Sequence, residues 1–400
     1  MDQLEFSVCA NFNAQAQAYW ETALAGFGRG QHLATRVSVT PWETARTELL
    51  KVALYGSGLD VSEIGTTLVA DFAMMNGLRP FAPAEVEILG GAKAFVPAAW
   101  QSTILGENTQ QVWAIPLLVD PRVIYYWRDL VSEAGVDEQA AFQSAAHMEA
   151  TLAKIQAHGQ VIPWAVETEY SLNSVYHAAS WIWARGGDFV SADGKQSCFN
   201  APEARAGLAD YFRLGRYMPP GLTSISIGQV ADMFSQRQVA VTMGGPWRLD
   251  ALRQRGLPPE TLAKIGVAPP PGPAYVGGTN LVIWQHTRHM REAFELVRHL
   301  NTKPILANYS QFTNFLPART SVLAGPPYST VPHYQALVRA LKSGRTTSHH
   351  RLWSLVEEKV NVALHEIWNQ VLQSPEPDLE AVLTAHLEPI SRRLDLTLNN

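Results

Sequence analysis

Leu4, Phe6 and Val8 alternate with polar residues, the period-two signature of a strand. Polar Asn11 and Asn13 follow at the predicted strand end. Tyr19, Ala23, Leu24 and Phe27 then recur at helical spacing, and Gly28 and Gly30 are expected to stop that helix. Val37 and Val39 mark a second strand ending at Pro41. Ala45, Leu49, Val52 and Ala53 mark a second helix, closed by Gly56-Ser57-Gly58. Residues 60–64 read as a third strand, Gly65-Thr66-Thr67 as its loop, and a helix runs through 72–75. Strands alternating with helices in this way imply a parallel sheet flanked by helices.

Residues 112–126 form an apolar run interrupted by Pro116 and Pro121, which is expected to carry the chain from one lobe to another. A second, helix-rich unit begins at about residue 127 by this periodicity. Leu208, Tyr211, Phe212 and Gly215 hold helical spacing, as do Val356, Val360, Ala363, Leu364, Ile367 and Val371. Residues 268–273, with four prolines, read as a stiff connector. A strand over 280–284 follows, then a helix with Ala293, Leu296, Val297 and Leu300 on one face. No internal repeat or low-complexity tract interrupts the pattern.

The length of 400 residues exceeds one ordinary core and points to two domains or a two-lobed one. The net charge of −5, with no run of like charge, argues against a nucleic-acid partner and against a polybasic membrane anchor. Cys9 and Cys198 are two distant thiols that build neither a disulfide framework nor a metal knuckle. No stretch of about 20 apolar residues is present to span a membrane. No secretory leader is present either, and a strand starts almost at once, a start compatible with a leader removed before residue 1. The 12 Trp, 12 Tyr and 14 Phe leave two readings open, filled cores or a site that stacks flat apolar faces.

Several short signatures follow one another along the chain. Val39-Thr40-Pro41-Trp42-Glu43 leads into a helix with Leu49-Leu50-Lys51. Gly56-Ser57-Gly58-Leu59-Asp60-Val61 makes a turn into a strand. Residues 114–120 precede Ile124-Tyr125-Tyr126-Trp127-Arg128-Asp129-Leu130 and Ala134-Gly135-Val136. Then come Gly186-Gly187-Asp188, Phe199-Asn200-Ala201-Pro202-Glu203-Ala204, Met243-Gly244-Gly245-Pro246-Trp247, Gly277-Gly278-Thr279-Asn280 and Leu316-Pro317-Ala318-Arg319. In this order, over nearly the whole chain, they resemble the family 1 extracellular solute-binding proteins of bacterial ABC importers, the maltose-binding-protein-like group. Two positions depart from its pattern: Leu59 stands for a proline and Trp127 for an asparagine.

The resemblance implies an α/β fold of two lobes, the type II periplasmic-binding-protein fold, each lobe a mixed central sheet flanked by helices. Lobe one would hold 1–112 plus 275–318 and lobe two 113–274 plus 319–400, with crossings near 112–120, 268–276 and 316–320. It also implies a solute in a cleft between the lobes and hinge closure on binding. Delivery would be to separate permease chains of an ABC transporter. The protein is then expected to be exported, periplasmic or a surface lipoprotein, monomeric, non-enzymatic and without cofactor or metal.

A sugar offers C–H ring faces to an aromatic plane and hydroxyls to Asp, Glu, Asn and Arg. Trp247 is the expected stacking platform by the resemblance, with Gly245 in the turn before it, where glycines permit close backbone approach. Asn11 and Asn13 after the first strand, and Thr66 and Thr67 after the third, are candidate hydroxyl partners. Asp120 in the crossing segment is a candidate acceptor. Gly278, Thr279 and Asn280 lie near the return into lobe one, and Arg319 follows a proline turn. Trp42 and Glu43 open a helix that the resemblance puts near the cleft. Residues 164–183 carry Glu167, Glu169, Tyr170, Asn173, Tyr176, Trp181 and Trp183. Tyr170, Asn173, Tyr176 and Trp181 fall near the helical spacing typical of a packed helix face; from these, Tyr170 and Trp181 are candidate contacts at the core or rim.

Three rival readings remain. A glycoside hydrolase would need two carboxylates facing across the substrate, and Glu167 and Glu169 are suggestive by type alone. No nucleophile elbow, dinucleotide fingerprint, Walker sequence or HExxH pattern occurs. The same fold could bind a glycerol phosphate or another polar solute, for which a cluster of Arg and Lys is expected. The loops named here carry aromatics and amides instead, which favours a neutral carbohydrate and, through the aromatic abundance, an oligosaccharide. A purely structural module is the third reading.

Overall fold

The alternation at the start of the chain forms β1, Gln3–Cys9, in the computed structural model, whose described residues are 3–10, 13–31, 33–105, 111–171, 173–347, 350, 352–374 and 376–399. Nine more strands follow among them: β2 Ala34–Thr40, β3 Val61–Gly65, β4 Ile115–Pro121, β5 Val123–Trp127, β6 Ile162–Ala165, β7 Val239–Gly244, β8 Ile265–Ala268, β9 Val276–Ile283 and β10 Leu316–Pro317. They build two mixed sheets with helices between the strands. The chain divides into two units. Unit one is Met1–Asp120, Gly277–Pro326 and Thr346–Ser354; unit two is Pro121–Val276, Pro327–Arg345 and Leu355–Asn400. The expected bounds, 1–112 plus 275–318, contain no counterpart of the short 346–354 segment that belongs to unit one.

Unit one holds a six-stranded sheet in the order β10-β4-β9-β3-β1-β2. β2 and β3 flank β1 in parallel, as the strand–helix alternation predicts, while β9 runs antiparallel to β3. Cys9, Ala45, Leu49, Ile64, Phe72, Val282 and Trp284 pack into one apolar cluster of the sheet and its helices. β3 also buries polar residues. Ser62 Oγ accepts from Trp284 Nε1 at 2.7 Å, and Asp60, just before the strand, accepts from the Glu5 amide at 2.8 Å.

Unit two holds a four-stranded sheet, β6-β7-β5-β8. Its core is aromatic. Trp181 packs on Tyr211 with centroids 4.9 Å apart, and Tyr211 and Phe212 pack on Trp368 at 5.2 and 4.7 Å. Seven tryptophans are essentially without exposed surface: Trp20, Trp127, Trp164, Trp181, Trp284, Trp353 and Trp368. Most of the aromatic surplus therefore fills cores.

Three local expectations change. The first helix, Asn13–Gln31, runs through Gly28 and Gly30. A helix-interior glycine costs about 1 kcal/mol and does not by itself stop a helix, and Trp20 and Leu24 are already buried against the sheet. Thr66 and Thr67 are not an open loop but the start of a buried 3-10 turn, Thr66–Leu68. The apolar run 112–126 is two strands, broken between Pro121 and Val123 at Arg122.

Candidate functional site

In unit two, strand register decides which loops meet. β6 and β7 run parallel with Ala165 opposite Thr242, so both end at the same sheet edge. β5 runs against β7 with Val123 opposite Gly244, and against β8 with Ile124 opposite Ala268. β5 therefore begins, and β8 ends, at that edge too. It gathers Glu167 after β6, Gly245 to Trp247 after β7, and Arg122 before β5. Open α/β sheets bind ligands at the carboxyl ends of their strands.

Trp247 opens the helix Trp247–Gln254 and is partly exposed. Two guanidinium groups lie against its ring, Arg248 Cζ at 4.8 Å from the centroid and Arg122 Cζ at 6.0 Å. The Gly245 carbonyl accepts from the Tyr125 hydroxyl at 2.9 Å, which holds the turn in place. Arg122 Cζ is also 5.3 Å from the Tyr176 ring, and its Nη2 donates to Asn173 Oδ1 at 2.9 Å. Tyr176 stacks on buried Tyr275 with centroids 4.3 Å apart and planes 15° from parallel. Trp247, Tyr176 and Asn173 are each partly exposed. Together they present two aromatic surfaces and an amide beside a guanidinium. That set can stack on apolar ring faces and hydrogen-bond the groups around them.

The charge beneath this surface is closed off. Arg248 and Glu167 have 0% and 1% of their side-chain surface exposed, with Nη2 and Oε2 3.7 Å apart; Glu167 Oε1 is 3.9 Å from His177 Nε2. Burial pushes His177 down to about 4, so its imidazole is neutral at pH 7. Burial alone would raise the Glu167 carboxyl, but His177, Arg248 and Arg122 outweigh it and hold it below its usual value. With His177 neutral, the arginines supply that attraction at pH 7. Glu169 is exposed while Glu167 is buried. The two carboxylates therefore do not face one another across an open space as a hydrolytic pair would.

Unit one has a corresponding edge. The parallel register puts Cys9 opposite Thr40, and antiparallel β9 begins where β3 ends, with Gly65 opposite Thr279. Trp42 and Glu43 open the helix Trp42–Tyr55 after β2. Trp42 packs on the unit-one core, and Glu43 is exposed. Thr66 and Thr67 are buried, and the Thr67 carbonyl accepts from Ser354 Oγ at 3.4 Å. Thr279 and Asn280 turn inward: Thr279 is buried, and Asn280 Nδ2 donates to Ser102 Oγ at 3.0 Å. Asp120 is buried at the end of β4. Gly278 has a φ of +133°, and a Cβ there would lie 2.1 Å from the Leu118 carbonyl oxygen. Glycine is required at that position by close passage against β4.

Other predicted residues do not join these groups. Asn11 lies outside the described residues, and of Asn13 only its backbone place at the start of the first helix is described. Arg319 lies away from the β3–β9 edge. Its Nη2 donates to the Leu89 carbonyl at 2.9 Å, and its Cζ stacks 4.9 Å from the Phe95 centroid. Trp181 faces the unit-two core, 1% exposed, and Tyr170 is exposed with an edge contact to His365. The helix Asn173–Ala184 starts at the sheet edge, so its first turn supplies Asn173 and Tyr176 to the surface, whereas the later turn carrying Trp181 enters the core. Arg122 was legible in one respect: it is the one cation in the apolar run 112–126, and a charge there signals a partner or a function. No group of three or more His, Cys, Asp or Glu placed to hold a metal occurs among the described residues.

Comparison with known proteins agrees with this architecture. Residues 24–336 match the family described as bacterial extracellular solute-binding protein. A putative binding protein of Brucella abortus (strain 2308) is 23% identical over 379 residues, covering 92% of this chain and 88% of its own. Among solved structures, the sugar-binding protein MalE of the phytopathogen Xanthomonas citri superposes with a TM-score of 0.84 at 19% identity, covering 99% of this chain and 97% of that one. Maltose-bound T. maritima MalE3 superposes with a TM-score of 0.78 at 19% identity, covering 98% and 100%. At these identities the likeness establishes the two-lobed α/β fold.

Proposed function

Since the chain belongs to the family of bacterial extracellular solute-binding proteins, we propose that its solute is a carbohydrate, in particular an oligosaccharide, which it delivers to the permease of an ABC transporter. The observation that carries this reading is the partly exposed Trp247 ring on the carboxyl edge of the unit-two sheet, with Tyr176 and Asn173 beside it. Similarity to a sugar-binding MalE and to a maltose-bound MalE3 supports it. Trp247 stacks on a sugar ring and Asn173 and Arg122 bond its hydroxyls. Trp42, Glu43, Thr66, Thr67, Asp120 and the backbone at Gly278 are the unit-one candidates. The protein acts as an exported monomer and performs no catalysis. Hinge closure on binding is part of the reading, and solution scattering with and without sugar tests it.

One observation favours a second reading. The loops singled out from the sequence carry mostly aromatics and amides, yet Arg122 stands 6.0 Å from the Trp247 centroid. A sugar acid or phosphate ester would use that guanidinium directly.

A thermal-shift screen separates the two. Mono- and oligosaccharides are tested beside glycerol 3-phosphate, with metal ions as controls. A ligand at 100 times its Kd stabilises by about 2.7 kcal/mol. A rise with neutral glycans, lost in Trp247→Ala and without turnover of the glycan, supports the first reading. A rise with phosphate esters alone replaces it with the second, and hydrolysis of the glycan overturns the non-enzymatic claim.

A further inference from the structure

The turn that ends in Trp247 is built around a buried cation. Gly244 ends β7, and a Cβ there would lie 2.9 Å from Arg248 Nε. The glycine thus leaves room for the arginine head as well as for a tight turn. Arg248 Nη2 donates to the Met243 carbonyl at 2.9 Å, one residue before Gly244. The head then lies 4.8 Å from the centroid of the neighbouring Trp247 ring and has no exposed surface. A fully buried arginine is rare and needs a counter-charge. Glu167 supplies it from the end of β6 at 3.7 Å, an ion-pair separation. His177, on the other side of Glu167 at 3.9 Å, is neutral at pH 7 and leaves the carboxylate to the arginine.

We infer that Glu167 is a positioning residue for the Trp247 platform: it holds the Arg248 guanidinium in the buried slot over Gly244, and the guanidinium in turn fixes the plane of the Trp247 ring. The inference rests on the platform reading of Trp247 for its functional meaning, but the ring position is measurable without any ligand. With the carboxylate removed, Arg248 is a buried charge without its balance. Its side chain then swings towards water, as a long basic side chain can. The support on one face of the indole goes with it.

The test uses the full chain labelled with 5-fluorotryptophan, the Trp247 line in the 19F spectrum being assigned by Trp247→Phe. Glu167→Gln is expected to displace the Trp247 line by more than its width, or to broaden it beyond detection, while the Trp20 and Trp284 lines of unit one stay in place. Glu167→Gln/Arg248→Met removes both charges and keeps the apolar stem. It is expected to remain folded with the Trp247 line still displaced, which separates positioning from stability. A Trp247 line unchanged in Glu167→Gln, or in the double variant where the single one fails to fold, overturns the inference. Titration of maltotetraose gives the functional arm: at least a tenfold weaker Kd in the variants is expected, and an unchanged Kd with a displaced line refutes the link between ring position and binding. If the wild-type chain does not bind maltotetraose, the carbohydrate reading fails for that sugar, and the ligand-free line still decides the role of Glu167.

Discussion

Glu63 lies in the middle of β3 with 1% of its surface exposed, between the Tyr309 hydroxyl and Thr279. Burial pushes its carboxyl from 4.5 up to about 7, against the opposing pull of the Tyr309 hydrogen bond. The native state therefore binds this proton more tightly than the unfolded chain. The stabilising contribution is fully present below pH 4.5, declines as the unfolded state loses its proton, and is gone once pH passes the folded value of about 7. At about 1.4 kcal/mol per tenfold change in proton affinity, the loss between pH 4 and pH 8 is about 3 kcal/mol. Glu63→Gln keeps an acceptor for Tyr309 but cannot ionise. Urea midpoints with their slopes, measured for both proteins at pH 4, 6 and 8, isolate this group by difference. The variant is expected to gain about 3 kcal/mol on the wild type between pH 4 and pH 8. A difference that stays constant across that range would falsify the assignment and place the Glu63 carboxylate in a solvated or ion-paired setting.

Three further outcomes follow from packing. Trp181→Ala leaves a cavity against Tyr211 and is expected to cost about 3–5 kcal/mol in unfolding experiments while leaving sugar affinity unchanged, since the ring is core. Arg319→Ala loses the Leu89 carbonyl bond and the Phe95 stack, a cost of about 1–3 kcal/mol, and a calorimetric Kd equal to that of the wild type is expected; weakened binding would return Arg319 to the solute site. Burial, with Glu63 nearby, pushes the Cys9 thiol far up, whereas Cys198 is only partly buried and less raised. Iodoacetamide at pH 8 followed by mass spectrometry should label Cys198 in the native protein and Cys9 only after denaturation, and equal rates would contradict the buried placement.

Periodicity and punctuation along the chain determined much of unit one. The alternation at Leu4, Phe6 and Val8, the Pro41 start and Gly56 stop of the second helix, and the strand entering through Asp60 each became the expected element, because local sterics and one-sided burial decide them. The motif order likewise pointed to the solute-binding family that residues 24–336 match. At the candidate site, sequence singled out Trp247 and the turn before it. Only the tertiary structure decided what surrounds that ring. Arg122 comes from the β4–β5 junction, Asn173 and Tyr176 from the first turn of the helix Asn173–Ala184, and the two segments meet at Trp247 through the opposed register of β5 and β7 and through the point where that helix begins. No spacing in the chain encodes that. The same holds for residues whose chemistry looked suited to a sugar. Trp181, Asn280 and Arg319 carry the right groups, yet helix phase and strand direction spend them on a core, on Ser102 and on Leu89. Residue type states which interactions a side chain can make; the direction in which the fold points it selects the one it makes.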